Sequence, residues 1–201
     1  MITKKYFREK AFYNKDEQAY VLRVHSNLSG TDILAKVLPE EPKAVNEEDG
    51  VSDKILAILN ELTALPVSKL DLIKKTAWSS FNDYGKLVSF TLLEDDNKFK
   101  NGTITREEYQ NLNKKRQRDL FEIYSEHDCW KSLGKAEFKS CLFPRIWNHR
   151  FRLITFYPEW EGDGLNIVVR NGEIIGYANG LDPITKAFDD PKLKAINELY
   201  C

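Results

Sequence analysis

Hydrophobic and polar positions alternate with a period of two near the start of the chain and again in its C-terminal half. Residues 6–13 and 18–25 alternate in this way on either side of the charged turn 14–17, which predicts an opening hairpin of two half-buried strands. The later period of two predicts an antiparallel meander sheet, with Asn171 and Gly172 in a type I′ turn between its last two strands. Its four predicted strands are 136–143, 150–157, 165–170 and 173–178.

Between these regions the apolar residues recur at helical spacing. Ser52 is a suitable N-cap for a first helix, which Pro66 ends. Ser68 is predicted to cap a second helix, and Gly85 is predicted to stop it. The apolar stripe of this second helix consists of Leu70, Ile73, Ala77, Phe81 and Tyr84. Asp190 is predicted to cap a short helix near the end of the sequence.

Three further segments complete the predicted fold. Residues 86–93 are rich in β-branched and aromatic side chains, which favours a strand. Thr105 and Glu108 form a capping box, which predicts a helix that runs to about Ser125. Residues 39–53 carry six acidic side chains and one lysine, and we expect them to form a loop. Together the elements predict an α+β fold, a single domain over 1–201 with helices packed on one face of the sheet.

The amino-acid composition and charge of the chain limit the classes of function that we expect. The chain has 201 residues, of which 42% are hydrophobic, and a net charge of -1, so its overall charge does not recruit nucleic acid. It contains no apolar segment of signal-peptide or membrane-spanning type. Its three cysteines, Cys129, Cys141 and Cys201, are odd in number and widely spaced, which favours a reducing compartment. We therefore expect a cytoplasmic protein that does not associate with membranes.

Residues 97–108 partly match the calcium loop of an EF-hand. Asn97, Asn101, Gly102 and Glu108 fit the required positions, whereas Phe99 stands where an oxygen ligand is needed. The preceding segment is also predicted to be a strand instead of an entering helix. The alternative is a type I′ turn at Asn101 and Gly102 that leads into the capping box. We expect no metal and no cofactor.

An enzyme site is the first alternative function. His127 lies close to Cys129, and His149 follows downstream, so a hydrolytic or metal-assisted site is conceivable. The three residues lack the spacing of a known zinc or nucleophile motif. Packed or exposed side chains with no catalytic role explain them more simply, and we predict no catalytic residue.

A nucleic-acid-binding surface is the second alternative. Residues 98–118 hold seven basic side chains and two acidic ones, and residues 131–152 are also basic. The face formed by 114–118, together with nearby Trp130 and Trp147, is typical of a surface that follows phosphates. Acidic segments elsewhere can neutralise it, and a solvated helix face has the same composition.

A cluster of acids surrounds one tryptophan. Glu159, Glu161 and Asp163 alternate around Trp160 at a predicted hairpin corner. These acids lack a partner nucleophile or base, so they favour a solvated edge over catalysis. A large aromatic residue in this place either fills the core or anchors a binding partner.

The stretch 151–182 resembles a group of uncharacterised bacterial domains with a tryptophan, an acid and a glycine-rich hairpin. The matching residues are Trp160, Glu161, Gly164, Leu165, Gly172, Gly176 and Asp182. Those domains often carry Glu-His-Gly before the strand, where this chain has Gly162-Asp163-Gly164. The resemblance implies a small α+β protein of the kind found beside polymorphic-toxin genes, where immunity proteins neutralise a toxin by binding it.

The leading hypothesis is a non-enzymatic protein that binds a protein partner, in the form of an immunity protein that neutralises a bacterial toxin. Such a protein needs a complementary surface and no reaction chemistry of its own. The predicted contacts are Trp160 with Glu159, Glu161 and Asp163.

Overall fold

The computed structural model describes residues 1–37, 52–142, 150–179 and 186–187. These residues form six α-helices, one 3₁₀ turn (Val67–Lys69) and eight strands. The helices are α1 (Lys4–Lys10), α2 (Asp53–Ala64), α3 (Leu70–Leu87), α4 (Leu93–Lys100), α5 (Arg106–Phe121) and α6 (Glu126–Ser132). The strands are β1 (Phe12–Asn14), β2 (Ala19–Ser26), β3 (Thr31–Val37), β4 (Glu137–Leu142), β5 (Arg150–Phe156), β6 (Leu165–Arg170), β7 (Glu173–Asn179) and β8 (Lys186–Ala187).

The strands form one sheet whose order follows the chain from β1 to β8. All neighbours are antiparallel except β3 and β4, which run parallel because helices α2 to α6 connect them. The predicted C-terminal meander and the α+β class are confirmed. Arg170 pairs with Glu173 across Asn171 and Gly172, whose φ angles of 51° and 73° are those of the predicted type I′ turn.

The hydrophobic core lies between the sheet and the helices. Alternate side chains of the strands point into it, as the period of two requires. From the sheet come Leu22, Val24, Ala35, Val37, Phe138, Ile154, Phe156, Leu165, Ile167 and Val169. The predicted apolar stripe of α3 is confirmed, because all of its residues pack in this core. None of the described helices has the length and apolar composition needed to cross a bilayer.

The prediction that residues 6–13 form a strand is wrong over most of its length. Residues 4–10 form α1, which begins at Thr3 with a cap hydrogen bond from the Tyr6 N–H. Phe7 and Ala11 lie four residues apart, and both pack on the core, which is a helical spacing. Only Phe12–Asn14 pairs with β2, so the predicted hairpin exists with a shorter first strand.

Helix α2 follows the sequence prediction. The Ser52 hydroxyl accepts a hydrogen bond from the Ile55 N–H, and the helix ends at Ala64, two residues before Pro66. Residues 39–51 of the predicted acidic loop 39–53 lie outside the described residues. Its last residue, Asp53, is the first residue of α2. The predicted helix at Asp190 also lies outside the described residues.

The predicted ends of α3 are wrong. Ser68 lies within the 3₁₀ turn, and Lys69 precedes α3 without a side-chain cap. Gly85 does not stop the helix, which continues to Leu87. A Cβ atom on Gly85 would lie 2.0 Å from Oε1 of Gln117, so this glycine allows α5 to approach α3 closely.

The strand predicted at 86–93 is also wrong, because this segment ends α3 and leads into α4. Its backbone groups are bound by one side chain of α5. The Phe90 N–H donates to Asn113 Oδ1 at 2.5 Å, and Asn113 Nδ2 donates to the carbonyl of Gly85 at 2.5 Å and to that of Val88 at 3.0 Å. These bonds take the place of a strand ladder.

Helix α5 has the predicted capping box at Thr105 and Glu108. It ends at Phe121, four residues before the predicted end, because Glu122 adopts the left-handed conformation. Ser125 is instead the N-cap of α6, where its hydroxyl accepts a hydrogen bond from the Asp128 N–H. Neither α4, α6 nor β3 was predicted from the sequence.

Candidate binding groove

Residues 97–108 do not have the arrangement of a calcium loop. Helix α4 continues to Lys100, so the first four of these twelve residues are helical. Glu108 Oε2 accepts hydrogen bonds from the Thr105 N–H at 2.7 Å and from its hydroxyl at 2.9 Å, and these bonds lower the pKa of the Glu108 carboxyl. The Glu108 Oε2 atom thus serves the capping box, which confirms that part of the alternative interpretation.

The predicted type I′ turn at Asn101 and Gly102 is wrong. Asn101 has a φ of -90°, and only Gly102 has a positive φ, at 76°. The Thr103 N–H donates to the Lys98 carbonyl and the Gly102 N–H to the Phe99 carbonyl. These bonds form a Schellman motif at the end of α4.

The structure places Cys129 and His127, two residues of the predicted enzyme site, in different surroundings. Cys129 is fully buried in α6, whereas His127 of the same helix is exposed. Burial, followed by the charges of Glu126 and Asp128, raises the pKa of the Cys129 thiol to about 12, so it is neutral and a poor nucleophile at neutral pH. His149 lies outside the described residues. Within the described part of the chain, no three His, Cys, Asp or Glu side chains are grouped to hold a metal ion.

The predicted contact residues around Trp160 divide between core and surface. Trp160 is 1% exposed, and its ring packs edge-on against Phe81 at 5.3 Å and Tyr84 at 6.0 Å. Its Nε1 donates to the Ser132 hydroxyl at 3.2 Å. Of the two interpretations of Trp160, the structure therefore supports a place in the core.

The three acids beside Trp160 occupy one turn between β5 and β6. Glu159 and Asp163 are exposed, whereas Glu161 is buried. The Glu161 N–H donates to the Pro158 carbonyl and the Gly164 N–H to the Glu161 carbonyl, both at 3.0 Å. Burial, together with the charges of Glu161 and Asp163, raises the pKa of Tyr84. A binding role for Glu159 and Asp163 stays a prediction.

The basic segment 98–118 is compensated in part within the fold. Lys98 pairs with Glu94 at 2.5 Å. Arg116 pairs with Asp95 at 2.6 Å, and Arg118 lies over the Trp78 ring at 5.6 Å. A surface that follows phosphates needs its cations free for the ligand. Two of the four basic side chains at 114–118, those of Arg116 and Arg118, therefore interact with other residues of the fold.

An open groove of about 600 Å³ lies between the end of α3 and helix α5. Residues 85–89 form one wall, and Arg106, Tyr109, Gln110, Asn113 and Lys114 of α5 form the other, with Phe99 of α4 between them. The three bonds of Asn113 described above hold the first wall in place. The groove therefore depends on contacts between segments more than 20 residues apart in the chain.

Two aromatic side chains that line the groove contact each other. The rings of Phe99 and Tyr109 stack with their centroids 4.8 Å apart. The Tyr109 hydroxyl donates to Asp96 Oδ1 at 2.7 Å, and the Thr91 hydroxyl lies 2.8 Å from the Tyr109 oxygen. Hydrogen bonds from Tyr109 and Thr91 lower the pKa of Asp96. These bonds fix the orientation of the Tyr109 ring.

Large apolar side chains are exposed in the groove and in the segment that follows its first wall. Leu87, Leu92 and Leu93 are 70%, 54% and 74% exposed, and Phe99 is 39% exposed. Leu87 and Phe99 line the groove, while Leu92 is the N-cap of α4 and Leu93 its first residue. Sequence reasoning missed this surface because it assigned residues 86–93 to a strand. The signal that could have indicated this surface is the apolar composition of residues 86–93.

Comparisons with models of protein families, with curated proteins and with solved structures gave no match. The resemblance of 151–182 to a group of uncharacterised bacterial domains therefore stays a prediction that rests on its motif residues alone.

Proposed function

We propose that this protein acts by binding another protein, without a reaction of its own, and that the groove and its rim form the contact surface. The observation that carries the proposal is the exposure of three leucines within residues 87–93. Single exposed leucines are ordinary, but several grouped beside a concave surface are typical of an interaction site. We name Leu87, Leu92, Leu93 and Phe99 the apolar rim.

The energetics favour a protein partner for the apolar rim. Complete burial of a leucine side chain contributes about 1.5–3 kcal/mol, so a partner that covers these side chains gains several such contributions. This gain must exceed the cost of association, which is about 4–15 kcal/mol. The polar atoms of Gln110 and Ser89 at the same groove provide hydrogen bonds that fix the orientation of a partner.

Toxin neutralisation is the specific form of binding that we propose. An immunity protein occludes a toxin by shape and charge complementarity, and it requires no catalytic group. The resemblance of 151–182 to toxin-associated domains supports this form of the function. The groove belongs to the helical surface on one side of the sheet, and Asn113 fixes one of its walls. It therefore offers a preorganised contact face.

Affinity capture with matched variants tests the proposal. The double variant Leu87→Asp with Leu93→Asp places charge on the apolar rim, whereas Leu120→Asp changes an equally exposed leucine, at 65%, outside the groove. We expect wild type and Leu120→Asp to capture the same protein from the native cell, and the double variant to bind the purified partner roughly tenfold or more weakly. Equal binding by all three proteins would overturn the proposal.

Co-expression tests the toxin-neutralising form. We expect the captured protein to stop growth of a host cell when it is expressed alone. Wild-type protein and Leu120→Asp should restore growth, and the double rim variant should not. A captured protein that is harmless to the cell would exclude toxin neutralisation and leave protein binding intact.

A further inference from the structure

We infer that the groove accepts an acidic peptide segment that also carries apolar side chains, contributed by the binding partner. This inference rests on the proposed protein-binding function and adds the chemistry of the bound segment. It follows from a combination of uncompensated cations and apolar surface in one groove.

Three cations line the groove. They are Lys86 at the end of α3 and Arg106 and Lys114 on α5, and none of the lining residues that the structure describes is acidic. Lys86 pairs with Asp83 on its own helix, whereas Arg106 and Lys114 make no ion pair with any described residue. This differs from Lys98 and Arg116, whose charges are paired. Carboxylates of a partner therefore supply the missing negative charge.

The apolar part of the groove limits the ligand further. Leu87 and Val88 line the groove from the wall that follows α3, and the stacked pair Phe99 and Tyr109 adds further apolar surface. A small anion would neutralise the cations but leave this surface in contact with water. A peptide with both carboxylates and apolar side chains satisfies both parts of the groove.

A peptide fits this groove better than nucleic acid does. Phe99 and Tyr109 stack on each other, so the face that each ring turns toward the other is closed to a base, and a hydrogen bond holds the Tyr109 hydroxyl. A surface that follows a phosphate backbone uses a continuous row of cations, whereas only three cations line this groove. A peptide can place its few carboxylates opposite Arg106 and Lys114.

Selection from a random library of displayed 12-residue peptides tests the inference on the full-length protein. The competitor in solution is the variant Arg106→Glu with Lys114→Glu, which removes peptides that bind elsewhere. Lys115→Glu is the matched control, because Lys115 neighbours Lys114 on α5 but does not line the groove. The affinities of the enriched peptides are then measured for wild type and both variants, with a single-stranded oligothymidine as a second probe.

We expect enriched peptides to be rich in Asp or Glu together with Leu, Phe or Trp. Their affinity should fall roughly tenfold or more in the double charge-reversal variant, and it should change little in Lys115→Glu. No enrichment, or peptides without acidic residues, would overturn the inference. Tighter binding of the oligothymidine than of any peptide, with loss in the same double variant, would assign the groove to nucleic acid instead.

The two proposals fail in different ways. If the natural partner loses affinity for the Leu87→Asp with Leu93→Asp variant but not for the charge-reversal variant, protein binding through the rim holds and the acidic-segment inference is wrong. If neither variant affects the natural partner, the proposed binding surface itself is wrong.

Discussion

A Cβ atom built on Gly85 would lie 2.0 Å from Oε1 of Gln117, so α3 and α5 meet at a point that has no space for a methyl group. The Gln117 side chain cannot simply move aside, because it is buried and its Nε2 donates to the Phe81 carbonyl at 2.6 Å. Three residues further along the chain, just after the end of α3, Asn113 of α5 binds the Val88 carbonyl. The contact between Gly85 and Gln117 therefore supports the wall of the groove.

Substitution of Gly85 tests this contact. Gly85→Ala gains about 1 kcal/mol of helix propensity, but the overpacking against Gln117 costs about 1–3 kcal/mol. We expect a net loss of about 1 kcal/mol in the free energy of unfolding, measured by urea denaturation. In a Gln117→Ala background the clash is absent, so the same substitution should stabilise the protein. An equal loss in both backgrounds would show that the two side chains are not in contact.

Asp95 and Arg116 link α4 to α5 in a pH-dependent manner. The Leu92 N–H, and then Arg116, lower the pKa of the Asp95 carboxyl below its ordinary value of 3.8. A lowered pKa stabilises the folded state above pH 3.8, and this contribution is lost as the pH falls through the folded-state pKa. We expect Asp95→Asn to be less stable than wild type at pH 7 and the difference to shrink below pH 3.8.

Urea denaturation at a series of pH values measures this difference. Glu159→Gln, which changes an exposed carboxylate on another part of the surface, is the matched control and should follow wild type throughout. A constant difference between Asp95→Asn and wild type from pH 7 to pH 3 would contradict the assignment.

Cys129 should be chemically inert in the folded protein. Its thiol is fully buried, and its pKa is raised to about 12, so little thiolate forms at pH 8 and reagents have no access. In a variant that keeps only this cysteine, Cys141→Ser with Cys201→Ser, we expect iodoacetamide to label Cys129 only after denaturant is added. Labelling of the folded variant at the rate of a free thiol would revive the hypothesis of a cysteine nucleophile.

Trp160 and its acidic neighbours should have separable effects. Trp160→Ala removes a core side chain that contacts Phe81 and Tyr84, and it should cost about 3–5 kcal/mol in the free energy of unfolding. The double variant Glu159→Lys with Asp163→Lys changes exposed residues and should alter stability by no more than about 0.5 kcal/mol. Thermal and urea denaturation measure the change in stability of both variants. A small effect of Trp160→Ala would contradict its place in the core.

Two elements with local signals were predicted correctly from the sequence. The type I′ turn at Asn171 and Gly172 fixes the hairpin of β6 and β7, and the capping box at Thr105 starts α5. Both depend on residues within four positions of each other, and both were confirmed. The α+β class followed from the same local periods.

The groove was not predicted because its determinants are distant in the chain. Residues 86–93 have the composition of a strand, but the bonds from Asn113 satisfy their backbone groups, and no local pattern indicates those bonds. Gly85 was interpreted as a helix stop because its role depends on Gln117, 32 positions later. Trp160 presented a similar difficulty, since sequence alone did not separate a core residue from an exposed anchor.

Site-specific photo-crosslinking in the native cell tests the central claim most directly. A photoreactive amino acid replaces Leu93 on the apolar rim in one protein, Leu120 outside the groove in a second, and Glu159 on the acidic turn in a third; all three positions are exposed. If the rim binds a protein partner, the Leu93 position should give one discrete adduct that the other two positions do not give. An adduct that forms from Glu159 and not from Leu93 would contradict the account and place the partner on the acidic turn instead.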